Sequence, residues 1–98
     1  MEKVLTETSQ GVAWITIHRP QRQNSLDPDT GHGLLRAVRQ ARGARVVVLT
    51  GAGQAFSAGA DLKDPLWMSG GPPHEVAPSI LRYPFHPLIY ELFTLPMP

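Results

Sequence analysis

The chain has 98 residues, a formal net charge of +1 and no cysteine. This length fits one small domain with a modest core. The lack of cysteine excludes disulfide frameworks, thiolate nucleophiles and cysteine metal sites. Because its nine basic residues are scattered, neither a nucleic acid nor a membrane is an expected partner. No apolar run approaches the roughly 20 residues that span a bilayer, so we expect a cytoplasmic protein.

Two short segments with β propensity open the chain, Val4 to Thr8 and Val12 to His18. They are separated by Ser9-Gln10-Gly11, which predicts an antiparallel hairpin. Arg19-Pro20 should end it, because proline does not continue a regular strand.

A helix is predicted from Asp27 to about Arg42. Asp27 offers a capping carboxylate, and Pro28 suits the first helical position. Gly43 suits the C-terminal cap. Helical spacing puts four apolar residues on one buried face: Leu34, Leu35, Val38 and Ala41.

The apolar run from Val46 to Thr50 predicts a buried strand. The order strand, helix, strand favours a right-handed crossover, so this strand should run parallel to the one at Val12. The loop after Thr50 then lies at the carboxyl edge of the sheet, where open α/β sheets bind ligands. Gly51-Ala52-Gly53 permits a tight turn, and Ala58-Gly59-Ala60 leaves a bare backbone whose N–H groups can donate to an oxyanion.

Prolines dominate the next segment, and residues 64–83 are expected to form a variable, proline-rich flap. An apolar helix should follow, with Leu88, Ile89, Leu92, Phe93 and Leu95, until Pro96 ends it. Several large side chains of this part of the chain either line an apolar pocket or cover the core: Trp67, Met68, Tyr83, Phe85 and Tyr90.

Three other kinds of site are not supported. The glycines after the predicted strand lack the third glycine of a dinucleotide loop and the lysine of a phosphate loop. Ser57 is not centred in a nucleophile-elbow motif, and no histidine is assigned as its base. The four histidines lack the spacing of metal ligands, so no metal is expected.

Three segments, in order, resemble the crotonase, or enoyl-CoA hydratase/isomerase, superfamily. GVAWITIHRPQRQNSLD resembles its opening strand and the following arginine-proline and asparagine-alanine-leucine signature. ARVVVLTGAGQAFSAGADLKD resembles its most recognisable block, and HPLIYELFTLPMP resembles the helix before its next central strand. The resemblance implies an α/β, crotonase-like (ClpP/crotonase) fold. Residues 1–98 would be a partial acyl-CoA-binding domain, the incomplete N-terminal part of the ββα superhelical core.

The resemblance also implies the site. The backbone N–H of Ala60 would be the first of two donors that bind a thioester carbonyl. Arg22 and Lys63 are the expected partners of the CoA phosphates. The full set of residues implied to bind substrate or CoA is Arg22, Asn24, Ser25, Leu26, Ala58, Gly59, Ala60, Asp61, Leu62 and Lys63. No cofactor is expected beyond the coenzyme A of the substrate.

The implied function is that of an acyl-CoA-processing enzyme that stabilises a thioester enolate, by default through hydration of an enoyl-CoA. The alternative is an enoyl-CoA or ring-epoxide-type acyl-CoA isomerase, because the flap followed by HPLIYEL resembles the phenylacetate-pathway isomerases. In the family the second donor and the catalytic carboxylates follow the segment that ends here at Pro98. A third interpretation is therefore a non-catalytic acyl-CoA-binding remnant. The intact parent is expected to be a homotrimer or hexamer.

Overall fold

The chain begins with the predicted hairpin. The computed structural model describes residues 2–61 and 81–98, with the backbone only at positions 81 and 82. Strand β1 (Val4–Ser9) pairs antiparallel with β2 (Val12–Ile17). Gln10 and Gly11 connect them, both at positive φ (52° and 81°), as a tight two-residue turn between twisted strands requires. The hairpin prediction is confirmed.

Helix α1 (Pro28–Gln40) also follows the prediction at its start. Asp27 is the N-cap, and its side chain accepts a hydrogen bond from the backbone N–H of Thr30 at 2.7 Å. The predicted C-terminus is wrong, because the α-helix ends at Gln40 and a short 3-10 turn occupies Ala41–Gly43. Gly43 therefore closes that turn and does not cap the α-helix.

The core lies between α1 and one face of the sheet. Alternate residues of β2 face the helix, and the predicted apolar stripe of α1 packs on them. The buried core residues are Ala13, Ile15, Ile17, Leu34, Leu35, Ala37, Val38, Ala41 and Leu88. The opposite face of the sheet is open within the described residues, and Trp14 there is 44% exposed.

Strand β3 (Val46–Gly51) runs parallel to β2, in register from Val12 opposite Val46 to Ile17 opposite Gly51. This confirms the predicted parallel pairing of the two strands. The prediction of a buried strand is wrong, because every residue of β3 is only half-buried. In the part of the chain that the structure describes, β3 is the edge of the sheet, and Val47 donates its N–H to the carbonyl of Pro98 at 2.9 Å.

Helix α2 (His86–Phe93) packs against α1, and Arg42 Nη1 lies 2.9 Å from Glu91 Oε2. The helix begins two residues before Leu88, because Pro87 is accommodated in its first turn. It ends before Leu95, where the backbone N–H of Thr94 returns to the carbonyl of Tyr90 at 3.0 Å.

Most of the predicted proline-rich flap, with Trp67 and Met68, falls in residues 62–80, outside the described residues. Of the other large side chains assigned to a pocket or to core cover, Tyr83 and Tyr90 are exposed and Phe85 packs against the core. None of the described helices is long and apolar enough to cross a membrane.

Candidate functional site

Two loops meet at the carboxyl edge of the sheet. The β2 loop comprises residues 18–27 and the β3 loop residues 52–61. Their backbones are joined by three hydrogen bonds: Ala58 N–H to Gln23 O at 3.0 Å, Leu26 N–H to Gly59 O at 2.7 Å, and Asp61 N–H to Leu26 O at 2.9 Å. The last two form a parallel bridge between Leu26 and Ala60. The predicted site segments are thus neighbours in space.

The side chain of Asn24 joins the two loops through hydrogen bonds. Its Nδ2 donates to the carbonyls of Ala52 and Ala55 at 2.8 and 2.7 Å, and its Oδ1 accepts from Arg19 N–H at 2.8 Å. The residue is 0% exposed and adopts the left-handed φ of 55°, which asparagine tolerates better than most residues. Its side chain supports the loops and offers no surface to a ligand.

Ser57 has a similar structural role. Its Oγ donates to the carbonyl of Asn24 at 2.8 Å and accepts from the N–H of Gly59 at 3.1 Å. The hydroxyl thus bonds within the site's own backbone, in keeping with the sequence argument against a nucleophile.

Two glycines shape the β3 loop. Gly59 has a φ of 94°, a conformation that L-amino acids with side chains rarely adopt. A Cβ on Gly51 would collide with the carbonyl oxygens of Ala55 and Phe56. The loop can therefore fold back over the end of β3 only because both side chains are absent.

The backbone N–H of Ala60 is a free donor of this loop among the described residues. In the parallel bridge Leu26 uses both of its own backbone groups, so the N–H and carbonyl of Ala60 point to the opposite side. The N–H groups of Ala58, Gly59 and Asp61 all have acceptors. The Ala60 N–H has none among residues 2–61 and 81–98, and Ala60 is exposed.

A buried arginine lies on the inner side of the bridge. Arg19 is 7% exposed, and its Nη1 donates to the carbonyl of Ser25 at 2.6 Å. Its Nη2 donates to Asp61 Oδ2 at 3.1 Å and lies 3.5 Å from Asp27 Oδ2. The guanidinium therefore contacts the chain on both sides of the bridge.

Asp27 extends this charged cluster to the first strand. Lys3 Nζ lies 2.7 Å from its Oδ2. Burial by itself would raise the pKa of Asp27, but the hydrogen bonds from Lys3 and Thr30 and the charge of Arg19 outweigh it and hold the pKa below 3.8. The hydrogen bond to Asp27 raises the pKa of Lys3 above 10.5.

The remaining predicted residues divide between the surface and the interior. Arg22 is exposed at the rim, with its Nη2 3.6 Å from Asp61 Oδ2. Ser25 is buried and Leu26 is half-buried. Leu62 and Lys63 lie outside the described residues. Among the residues that the structure describes, no group of three or more histidine or acidic side chains could hold a metal ion.

The sequence patterns mark Arg19 as the end of a strand and as part of the arginine-proline signature, and Asp27 as a helix cap. They do not predict that these two side chains lie in the site. The available signal was a cation placed directly after a buried strand, with aspartates ending both loops. An arginine that cannot reach solvent needs carboxylate and carbonyl partners close by.

The family model described as enoyl-CoA hydratase/isomerase matches residues 7–98. The chain belongs to the enoyl-CoA hydratase/isomerase family. It is 39% identical to a Rhodobacter capsulatus protein named "Probable enoyl-CoA hydratase", over 94% of this chain and 34% of that protein. It is 35% identical to the 1,2-epoxyphenylacetyl-CoA isomerase of Escherichia coli, over 100% of this chain and 38% of that protein. The chain thus spans about a third of the length of these relatives.

Solved structures confirm the predicted fold. The crystal structure of an enoyl-CoA hydratase/isomerase from Xanthobacter autotrophicus matches with a TM-score of 0.85 and 34% identity, covering 99% of this chain and 36% of that one. An enoyl-CoA hydratase from Bacillus halodurans matches with a TM-score of 0.81 and 27% identity, over 98% and 39% of the two chains. The chain is a partial, N-terminal crotonase-like α/β unit.

Proposed function

We propose that residues 1–98 supply the CoA-binding part and the first oxyanion donor of an enzyme that hydrates an enoyl-CoA thioester. The observation that carries this proposal is the backbone N–H of Ala60. It is the N–H of the 58–61 stretch left without an acceptor among the described residues, on an exposed turn with small side chains.

The proposed chemistry follows from that group. The thioester carbonyl oxygen accepts a hydrogen bond from the Ala60 N–H. Water then adds to the β-carbon of the enoyl group. As a carboxylate takes the proton of this water, negative charge develops on the thioester carbonyl oxygen and the enolate forms; protonation of the α-carbon then gives the 3-hydroxyacyl thioester. A fixed dipole aimed at this oxygen lowers the barrier, and removal of one such donor costs about 2.7–4 kcal/mol in a well-studied hydrolase. We assign the second donor and the catalytic carboxylates to sequence beyond residue 98.

Charge at the rim supports the proposed binding of coenzyme A. Arg22 is exposed beside the β3 loop and is the basic side chain proposed, with Lys63, for the phosphates. Ala58, Gly59 and Ala60 present little side chain, so an extended pantetheine can approach the backbone. The reaction needs no cofactor beyond the coenzyme A of its substrate. A homotrimeric or hexameric parent and a cytoplasmic location remain part of this proposal.

Isomerisation of an acyl-CoA is the second candidate. It is favoured by the 35% identity to the Escherichia coli 1,2-epoxyphenylacetyl-CoA isomerase over the whole of this chain. The same donor would serve either reaction, because both develop charge on a thioester oxygen. The two candidates differ in groups that we assign to sequence beyond residue 98.

A pair of matched ligands tests the proposed donor. Butyryl-CoA carries the thioester carbonyl, whereas S-butyl-CoA is a thioether that lacks it. We expect the protein to prefer butyryl-CoA by about two- to tenfold, because a neutral hydrogen bond contributes about 0.5–1.5 kcal/mol. Ala60→Pro removes the N–H and should abolish this preference, whereas Ala60→Ser retains the N–H and should keep it.

Isothermal calorimetry of both ligands with the three proteins gives distinct outcomes. Equal affinity of the unmodified protein for thioester and thioether would contradict the donor. Preference without turnover of any enoyl-CoA by the protein at its natural length would favour the acyl-CoA-binding remnant.

A further inference from the structure

We propose that Arg19 is a positioning residue that holds the Ala60 N–H in its donor orientation, acting through Asp61. The inference rests on the proposed function of Ala60. It assigns a role to a buried cation that the proposed chemistry does not otherwise use.

Burying the charge of Arg19 is costly. The residue is 7% exposed, so its guanidinium loses hydration and is stable only where carboxylates and carbonyls replace water. Here the replacement is specific: Nη1 donates to Ser25 O at 2.6 Å and Nη2 to Asp61 Oδ2 at 3.1 Å. Because charge-assisted hydrogen bonds from a planar guanidinium are strong and directional, Arg19 fixes the positions of its partners in the two loops.

The partners of Arg19 lie on both strands of the bridge. Ser25 and Asp27 flank Leu26 on one side of the bridge, and Asp61 directly follows Ala60 on the other. The guanidinium therefore ties the two backbone segments together across the bridge. Asp61 is 42 residues from Arg19 in sequence, so this contact restrains the β3 loop against the β2 loop.

The segment that carries Ala60 needs such restraint. The preceding Gly59 has a φ of 94° and no side chain to limit it. Among the described residues, the bridge holds this segment through Leu26 N–H to Gly59 O and Asp61 N–H to Leu26 O. An oxyanion donor contributes most when its direction is fixed before the charge develops. The Arg19–Asp61 contact fixes the residue immediately after the donor.

Arg19 is itself held in place. Its backbone N–H donates to Asn24 Oδ1 at 2.8 Å, and its carbonyl accepts from the N–H groups of Arg22 and Asn24 at 2.9 and 2.8 Å. Because Arg19 is held at its backbone and at both terminal nitrogens, it can hold Asp61 in a fixed position.

The test uses hydrogen exchange in the protein at its natural length. The N–H groups of Leu26 and Asp61 close the bridge, so peptides containing them report its opening. In Arg19→Gln we expect these peptides to exchange about tenfold faster or more, because hydrogen bonds to charged groups are the stronger class. Peptides from the α1 core should exchange as before. Asp61→Asn, which keeps the size of the side chain, should give the same local pattern.

Two further variants separate positioning from general stability. Lys3→Met breaks the Lys3–Asp27 contact without touching Asp61, so it should leave the bridge peptides unchanged. Arg19→Lys keeps the charge but lacks the planar fork that bonds Ser25 O and Asp61 Oδ2 together. Its bridge peptides should therefore exchange at a rate between those of the unmodified protein and Arg19→Gln. The preference for butyryl-CoA over S-butyl-CoA should fall towards one in Arg19→Gln and Asp61→Asn and persist in Lys3→Met.

The outcomes distinguish this inference from the proposed function. If the unmodified protein shows no thioester preference, the donor proposal fails and the exchange data alone decide the inference. If Arg19→Gln and Asp61→Asn retain both bridge protection and preference, Arg19 does not position the loop. If Arg19→Gln does not fold, Asp61→Asn decides in the same two measurements.

Discussion

At the scale of single residues, buried polar side chains determine the shape of the site. Asn24 makes three hydrogen bonds from a fully buried position, two to carbonyls of the β3 loop and one to the backbone of Arg19. Replacement by alanine leaves these groups buried and without partners, and each such group costs about 1–3 kcal/mol. The conformation of both loops therefore depends on the Asn24 amide.

We predict that Asn24→Ala lowers the free energy of unfolding by about 3 kcal/mol or more. Urea titration at constant slope measures the loss. The matched control is Gln23→Gly, since Gln23 has nearly the same backbone (φ 53°) but is exposed. Glycine suits that conformation, so the control should be neutral or slightly stabilising. An Asn24→Ala protein within about 0.5 kcal/mol of the original would contradict the role given to this amide.

Asp27 and Lys3 predict how stability varies with pH. The folded pKa of Asp27 is below 3.8, so its contribution is complete above that value and is lost as the pH falls through the folded pKa. The folded pKa of Lys3 is above 10.5, so its contribution is complete below that value and is lost as the pH rises through the folded pKa.

The acid limb is the fall in unfolding free energy as the pH decreases. We expect Asp27→Asn to make this fall less steep. The helix cap should largely remain, because asparagine caps as well as aspartate. Unfolding free energies between about pH 2 and pH 7 give the comparison. Asp29→Asn is the control, since Asp29 is exposed. An acid limb as steep in Asp27→Asn as in the original protein would assign the pH dependence to other groups.

At the scale of elements, the contact between α1 and the segment entering α2 is close. A Cβ on Gly31 would lie 2.7 Å from Pro84 Cγ and 2.8 Å from the Phe85 ring. Alanine in a helix gains up to about 1 kcal/mol over glycine. Overpacking a core contact costs about 1–3 kcal/mol, so the clash outweighs the gain in helix propensity.

We predict that Gly31→Ala destabilises the protein by about 1–2 kcal/mol and lowers the melting temperature. Gly43→Ala is the matched control, because a Cβ there meets nothing within 4 Å. Thermal unfolding of both variants should separate them. A stabilised Gly31→Ala protein would mean that α2 does not pack this closely on α1.

The elements that the sequence predicted well are those with local signals. The Gln10-Gly11 turn, the Asp27-Pro28 helix start and the apolar stripe of α1 each act over a few residues. The half-buried state of β3 and the limits of α2 depend on what packs beside them, and no local pattern contains that information.

The same distinction between local and long-range signals holds for the site. The small residues of 58–60 predict a bare backbone, and the structure leaves the Ala60 N–H pointing away from the bridge. The contact of Arg19 with Asp61 joins residues 42 apart and depends on the two loops meeting. A charge in sequence does not by itself reveal whether it will be buried. The position of Arg19 soon after a strand, with an aspartate at the end of each loop, is a signal, but it does not say which aspartate the arginine contacts.

At the scale of the whole molecule, α2 carries an exposed apolar face formed by Ile89, Tyr90 and Phe93. Phe93 is 90% exposed. Exposed aromatic patches favour association. The 98-residue chain should therefore self-associate as its concentration rises.

We predict that Phe93→Ser weakens this association and changes the unfolding free energy by less than about 0.5 kcal/mol, since the side chain makes little contact in the monomer. Sedimentation velocity over a range of concentrations measures the first effect and urea unfolding the second. Gln54→Ser, an exposed polar change outside this face, is the control. Equal association of Phe93→Ser and the original chain would exclude the α2 face as its cause.

The amide of Ala60 itself reports the proposed hydrogen bond to a thioester carbonyl. We would label alanine with nitrogen-15 and record amide spectra during titration with butyryl-CoA and with S-butyl-CoA. We expect the Ala60 amide proton to shift further downfield with the thioester than with the thioether, whereas the Ala58 amide, already bonded to Gln23, should respond alike to both ligands. An Ala60 amide that responds alike to both bound ligands would contradict the proposed donor.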